Sequence, residues 1–417
     1  MPDLSIVYVW DADYPWDVRT EKVCRALTAA GHRVTIVARN RKWSPEREQL
    51  AEGMVHRMRP WRWAGRSLDG SLGFPAFFSP RWSTLVNDAV REAKADLIIV
   101  RDLPLCPTAV AAGRKHGVPV ALDMAENYPA LMRDRRLGSR NAVVDFFARN
   151  PKLTAMVEHY SIAHVDWTIT VVEESSRRLE SLGANPRKLS VVSNTPPRAR
   201  AEQRHIATRA ASATITVAYL GLLEVARGIG EMVDAMKILH AEHGDRFRAI
   251  IVGGGRDAEI FRTRSDEAGL DSSVKFLGLL PHADALAAIA AADIGVIPHH
   301  ATELWNSTIP NKLFDYMAAG LPVVSSDTTP CARIIGETKC GEVFRSGDAR
   351  SMADAIARVA EPAALAAMAA AGRRAVTERY NWENDTATLL DSIQRIVAGR
   401  SDPVVWHSRN KTPSADT

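Results

Sequence analysis

The sequence predicts an α/β chain of two doubly wound, parallel-sheet units joined by a linker. Three observations carry this. Short apolar runs such as Ile6–Trp10 and Ile294–Ile297 show no apolar/polar alternation, as expected of strands buried on both faces. Amphipathic stretches of helical period separate them, in the order that parallel βαβ crossovers require. The alternation stops over residues 195–213 and then restarts. A length of 417 residues, 46% of them apolar and 24% charged, is enough to bury two globular cores.

The first unit opens on the strand Ile6–Trp10. A polar turn with Asp11, Asp13, Asp17 and Arg19 follows, then a helix over 20–30 that Gly31 ends, then the strand Val34–Val37. A strand over 96–100, a helix over 107–116, a strand over 118–123, a helix over 151–164 and a strand over 167–171 complete it. We bound this unit at 1–198 and place the linker at 199–213, where an Arg/Ala-rich stretch has little periodicity.

The second unit, 214–379, repeats the pattern. Strands are expected at 215–220, 247–252, 274–277, 294–297 and 322–325, with helices at 229–240, 257–268, 283–291 and 311–319 between them. Residues 380–400 read as a C-terminal helix that packs back on the first unit, and 401–417 as a polar tail. Two such Rossmann-like units leave a cleft at the carboxyl ends of their strands, where ligands bind in these sheets. Dehydrogenases and periplasmic binding proteins share this much, so the motifs must choose the chemistry.

Composition removes some classes. Cys24, Cys106, Cys331 and Cys340 are scattered without a CxxC pair or His at zinc-ligand spacing, which reads as reduced structural thiols. The N-terminus enters a strand directly, against a secretory signal, and the longest apolar stretch, 285–298, is broken by Asp293 and too short to span a bilayer. The expected location is cytoplasmic, or peripheral at the inner face of the membrane. Residues 1–200 hold 30 Lys and Arg against 22 Asp and Glu, a net +8, while the remainder nets −4. The basic half suits an anionic partner such as a membrane surface or a lipid phosphate.

Three motifs in the second unit point to phosphate. Gly221 ends the first strand and Arg227 stands just before the helix, where a cation and a helix N-terminus can hold an anion together. A solvated loop arginine is the other reading. Val252 is followed by Gly253, Gly254 and Gly255, which permit close backbone approach and offer N–H groups to an anion, or simply make a tight turn. Third is the run from Ile309 to Val324, in which Pro310 starts a helix and Gly320 ends it. Lys312 and Asp315, three apart, share a face. They suit a phosphate and two vicinal ribose hydroxyls, or else form a surface ion pair. There is no P-loop and no GxGxxG.

The order of RG before a helix, IVGGG, VKFLG, ADIGVIP and PNKLFDYMAAGLPVVSSD resembles the retaining GT-B glycosyltransferases of family 4, the group 1 transferases. LTAAGHRVTIV, TITVVEE and VVSNTPP in the first half extend the resemblance over nearly the whole chain. It implies the GT-B fold, a nucleoside-diphosphate sugar as co-substrate, no further cofactor, no metal, and a glycan or lipid-linked acceptor. Donor-binding positions are then Gly221, Arg227, Gly253, Gly254, Ser307, Asn311, Lys312 and Asp315. Asp123 and Glu126, in a segment similar to the family's D-x-H-E, fall at the transferred sugar as the catalytic candidates; Asp17 and Arg19 fall at the acceptor. Three positions depart from the family. Leu222 stands where a pyrophosphate arginine is usual, Ala125 replaces the histidine, and Ser307 replaces the first of two glutamates. Lys312 restores the missing cation.

Two features remain. Arginine and aromatic residues interleave from Arg57 to Trp82, including Arg59, Trp61, Arg62, Trp63, Arg66, Phe74, Phe77, Phe78 and Arg81. This suits an anionic membrane interface, where rings and guanidinium groups sit among headgroups. It also suits a core loop or single-stranded nucleic acid, but no nucleic-acid fold signature accompanies it. The segment 132–152, with Arg133, Arg135, Arg136, Arg140, Phe146, Phe147 and Arg149, fits the same surface. His299 and His300 follow a strand at its cleft end, as a donor contact or as ordinary loop residues. The expectation is a retaining glycosyltransferase. A GT-B nucleotide-sugar epimerase and a catalytically weakened binding subunit are the alternatives.

Overall fold

The computed structural model describes residues 3–63, 66, 67, 77, 79–136, 150–202 and 214–399. The chain divides into two compact units, Met1–Ser193 with Asp385–Thr417, and Asn194–Asn384.

In the first unit the strands are β1 (Ser5–Asp13), β2 (Arg33–Arg39), β3 (Arg47–Leu50), β4 (Gly53–Arg57), β5 (Arg62–Trp63), β6 (Arg66–Ser67), β7 (Leu97–Arg101), β8 (Val120–Met124), β9 (Trp167–Thr170) and β10 (Leu189–Val191). Its helices are α1 (Val18–Ala29), α2 (Pro80–Ala93), α3 (Cys106–His116), α4 (Tyr128–Arg136), α5 (Pro151–His164) and α6 (Glu173–Ser181). Eight strands form one sheet in the order β10-β9-β8-β7-β1-β2-β4-β3, and β5 pairs with β6 alone. Pairing is parallel from β10 to β4, with Ile6 beside Val34 on one side and Leu97 on the other. Val7, Val9, Ile98 and Val100 are fully enclosed because helices cover both faces, which is why these strands read as unbroken apolar runs. The order reverses beside β1, so the loops after β1 and β7 diverge there and leave room for ligand-binding groups.

Sequence periodicity missed the β3–β4 hairpin, which runs antiparallel with Arg47 opposite His56. β3 is an edge strand, Arg-Glu-Gln-Leu, exposed on alternate residues, and carries no apolar run to detect. It also missed that both ends of the Arg57–Trp82 stretch are interior. Arg57 donates to the Tyr14 and Pro45 carbonyls and pairs with Glu48 at 2.7 Å, while Trp82 is enclosed in the core on α2. Those two residues therefore face no membrane. Arg59 and Trp61 are exposed, with the Arg81 guanidinium 4.8 Å above the Trp61 ring. Phe74 and Phe78, the side chains of Arg62, Trp63, Arg66 and Arg136, and Arg140, Phe146, Phe147 and Arg149 lie outside the described residues.

The second unit begins with the short helix α7 (Arg198–Glu202); most of the expected linker lies outside the described residues, as does the expected polar tail. It continues through β11 (Ile215–Leu220), α8 (Ile229–His243), β12 (Phe247–Val252), α9 (Ala258–Glu267), β13 (Val274–Gly278), α10 (His282–Ala290), β14 (Ile294–Ile297), α11 (Lys312–Ala319), β15 (Val323–Ser326), α12 (Thr329–Thr338), β16 (Gly341–Phe344), α13 (Ala349–Val359) and α14 (Pro362–Glu378). All six strands are parallel, in the order β13-β12-β11-β14-β15-β16. The switch falls between β11 and β14, so the loops leaving these two strands part at their carboxyl ends. The last helix, α15 (Trp382–Val397), counts with the first unit from Asp385 onward, and there the Asp385 carboxylate accepts the Ser193 amide at 3.1 Å. The four cysteines are buried and none is in a disulfide. No single helix among the described residues is long and apolar enough to cross a membrane.

Candidate functional site

The loops at the β11/β14 switch gather a cluster of basic groups. Gly221 follows β11 directly, and its N–H donates to the Val252 carbonyl at 2.9 Å. Gly253 crosses it so closely, at φ +140°, that a Cβ there would lie 1.8 Å from the Gly221 oxygen. Only glycine is tolerated at that crossing. Its N–H donates to the Gly278 carbonyl at 2.8 Å, which corrects the expectation that it is offered to an anion. The Gly254 and Gly255 amides have no acceptor among the described residues and are the ones available.

Lys312, the first residue of α11, turns inward and is only 7% exposed. Its Nζ lies 3.2 Å from His299 Nε2 and 4.0 Å from the centre of the Tyr219 ring. A side chain at Gly221 would press on this amine, since a Cβ there would sit 3.0 Å from Nζ. The centre of the His299 ring lies 4.0 Å from that of Trp305, and the Arg227 guanidinium 5.0 Å from the centre of the same indole. Arg227 has Glu224 at 3.9 Å as its paired carboxylate. Arg227 Nε and His299 Nδ1 are buried without a hydrogen-bond partner. Burial, and then Arg227, holds the Lys312 amine well below its usual range. Burial, then Lys312 and Arg227, does the same to His299. Three basic groups thus converge where no carboxylate is bonded to Lys312 or His299, an arrangement that favours an anionic ligand.

The alternative of a surface Lys312–Asp315 pair is not what forms. Asp315 accepts from Arg200 of α7 at 2.9 Å, while Lys312 faces His299. The Ser307 hydroxyl donates to the Glu303 and Leu304 carbonyls at 2.7 and 3.1 Å, and Asn311 is exposed at the N-cap of α11 without a capping bond. Among the donor candidates the structure therefore brings together Gly221, Arg227, Gly253, Gly254 and Lys312. His299 and Trp305 join them unassigned by sequence. The His299 signal, a histidine directly after a strand at the switch, was visible but ambiguous.

The first unit holds a different arrangement at its own switch. Asp123, at the end of β8, is 1% exposed and accepts from Tyr8 Oη at 2.9 Å. Arg19, 3% exposed, grips both carboxylate oxygens through Nε at 3.0 and 3.1 Å and Nη2 at 2.5 Å, and donates to the Val192 carbonyl at 2.8 Å. Burial alone would raise the Asp123 carboxyl, but Arg19 and Arg101 hold it below the usual range. A catalytic candidate and an acceptor candidate thus neutralise each other in the interior. Asp17 is likewise engaged, capping α1 through the Thr20 amide and hydroxyl at 2.7 and 2.9 Å. Of the two positions expected at the acceptor, Asp17 is a helix cap and Arg19 a buried strut on Asp123.

Glu126 is half-buried in the turn between β8 and α4. Sequence reading missed what supports this turn. Asp102, in the left-handed region at φ 61°, accepts the Ala125 amide at 3.0 Å, donates its own N–H to the Asp123 carbonyl at 2.9 Å, and pairs with Arg101 at 3.2 Å. Burial raises the Asp102 carboxyl despite Arg101. The signal was an Arg-Asp pair directly after a strand at the switch. Among the described residues no group of three or more His, Cys, Asp or Glu is placed to hold a metal ion.

Comparison with known proteins agrees with both halves. Residues 17–195 match the glycosyl transferase 4-like domain, and residues 214–361 match the glycosyl transferases group 1. The phosphatidyl-myo-inositol mannosyltransferase of Mycobacterium leprae is 28% identical over 187 residues, 45% of this chain and 48% of that protein. The chain thus spans about half the length of the curated relatives it matches. Among solved structures, sucrose-phosphate synthase from Thermosynechococcus elongatus superimposes with a TM-score of 0.74 at 18% identity, covering 94% of this chain and 99% of that one. Anabaena HepE in complex with UDP gives 0.66 at 15% identity, covering 94% and 100%. At such identities the likeness establishes the fold, which is GT-B.

Proposed function

The chain belongs to the group 1 glycosyl transferases, and from that premise we propose that it moves a sugar from a nucleoside-diphosphate donor to a glycan or lipid-linked acceptor with retention. The observation that carries the reading is the buried cluster of Lys312, His299 and Arg227 beside the Gly254 and Gly255 amides. As the glycosidic bond breaks, the leaving diphosphate gains charge, and preorganised cations and amides stabilise it without solvent reorganisation. Its oxygen takes the acceptor proton as the acceptor attacks from the same face. Asp315 is read as the ribose carboxylate, reached by displacing Arg200. Glu126 serves at the transferred sugar, with Asp123 as a positioning group beneath its turn.

Two relatives support the substrate classes. Anabaena HepE was solved with UDP, and the Mycobacterium leprae protein is named for mannosyl transfer to phosphatidyl-myo-inositol. With cations and amides meeting the diphosphate charge, the reaction requires no divalent ion. The test is to incubate the purified protein with UDP- and GDP-sugars in excess EDTA. At least one donor should be hydrolysed slowly, releasing its nucleoside diphosphate. Absence of release from every donor, or release only after Mg²⁺ or Mn²⁺ is restored, contradicts the reading.

A further inference from the structure

A buried amine and a buried imidazole in contact pose an electrostatic problem. Lys312 Nζ and His299 Nε2 are 3.2 Å apart, and neither is bonded to a carboxylate. Two charged groups at that separation, away from water, repel strongly, so one proton between them is the stable state of the free protein. A carboxylate in the surroundings, Glu224, lies 3.9 Å from Arg227 Nε and is bonded to neither member of the pair. Arg227 approaches from the turn before α8 and Tyr219 from β11, and burial raises the Tyr219 phenol, so it carries no charge at neutral pH. His300, next along the chain, is committed to Glu231 of α8 at 3.1 Å.

His299 is also held in place. Its carbonyl accepts from Ser326 Oγ of β15, and its ring lies against Trp305. The Nδ1 atom is buried with no partner, a polar atom that natural interiors seldom leave unsatisfied. A diphosphate on Lys312 would change the balance. Its negative charge makes a second proton on the pair favourable and converts the imidazole into a donor. We propose that His299 is a working part of this anion grip: it shares one proton with Lys312 in the free protein, and the pair takes up a second when a nucleoside diphosphate arrives. This rests on the reading of Lys312 as a diphosphate ligand.

Calorimetric titration with UDP and with GDP, in buffers of different ionisation enthalpy between pH 6.5 and 9, measures the proton uptake. The control is the double variant His299→Asn/Lys312→Arg, in which the cation keeps its charge at every pH and the imidazole is gone. The ligand's own phosphate ionisation, near pH 6, is common to both proteins. The wild type should take up about one more proton per ligand than the double variant, and its affinity should fall up to about tenfold per pH unit over part of the range. Equal uptake by the two proteins overturns the proposal. Should the double variant fail to fold or bind, a wild-type affinity that does not fall with rising pH overturns it alone. Unchanged affinity in Lys312→Ala would instead remove the diphosphate reading itself.

Discussion

Lys312 and Asp123 are both buried charged residues at the carboxyl end of a parallel sheet, yet their partners assign them opposite work. Lys312 has no anion bonded to it, and Asp123 has two arginines beside it. A group left without its counter-charge in the interior is there for a ligand; one fully matched is there for the fold. Lys312→Ala and Arg227→Ala should each weaken nucleoside-diphosphate binding about tenfold or more, since a charge-assisted bond contributes ~1.5–3 kcal/mol. Unchanged affinity in both, read by calorimetry, would remove the donor assignment. Asp123→Asn should instead cost stability, about 3 kcal/mol at pH 7, because it strands the Arg19 guanidinium. The Asp123 carboxyl is held below its usual range in the folded state, so its contribution is complete above about pH 5 and disappears as pH falls through the folded value. Urea unfolding should show the gap between wild type and Asp123→Asn constant from pH 8 to 5 and closing below about pH 4. A gap that persists unchanged at pH 2.5 would contradict the pairing. Lys312 was legible in sequence because its motif is contiguous. The Arg19–Asp123 bond joins residues 104 apart, and no local pattern announces which buried carboxylate meets which arginine.

At the scale of elements, what was legible is whatever the helix and strand periods encode. The strands β1, β11, β12 and β14 were read within a few residues because each carries a run of enclosed apolar side chains, even though β1 ends in polar residues and Arg248 of β12 is exposed. The polar edge strand β3 and the four-residue edge strand β16 carry no such signature. The crossing of the Gly221 and Gly253 turns lies between these cases. The glycines were conspicuous, but not the reason for them, since the N–H of Gly253 is bonded to Gly278 and what matters is that its Cα side is vacant. Gly253→Ala tests that reason. A Cβ 1.8 Å from the Gly221 oxygen, at φ +140°, forces the β11 and β12 loops apart and moves Gly221 away from Lys312. We expect both a loss of thermal stability and a loss of nucleoside-diphosphate binding larger than that of Gly269→Ala, where no atom lies within 4 Å of the added methyl. Because φ is +70° at Gly269, that control carries the backbone strain without the clash. Equal effects of the two substitutions would show that close packing at the crossing does not organise the site.

For the whole molecule, charge is divided between the two halves of the chain. Residues 1–200 net +8 and the rest −4, although the basic cluster assigned to an anionic donor lies in the second half. The excess in the first half is therefore not explained by the donor. Some of it is internal: Arg19, Arg57 and Arg101 are buried in ion pairs. Arg59, 3.7 Å from Glu46, and Trp61 are exposed, and Arg81 stacks on the latter. We propose that this surface meets an anionic membrane carrying the acceptor. Each exposed arginine near an anionic leaflet contributes about 1 kcal/mol, so three or four support reversible attachment. The attraction acts over roughly a Debye length, about 10 Å at 0.1 M salt, and fades as salt rises. Trp61, 49% exposed, would add an apolar part that salt does not screen. The protein should co-sediment with vesicles containing phosphatidylserine or phosphatidylinositol at low salt, bind neutral vesicles weakly, and be released near molar salt. Arg59→Glu with Arg81→Glu should abolish vesicle binding and leave nucleoside-diphosphate affinity unchanged, since neither residue belongs to the second unit. If the wild type ignores anionic vesicles at low salt, the acceptor is a soluble sugar or metabolite, and the surplus arginines serve solubility alone.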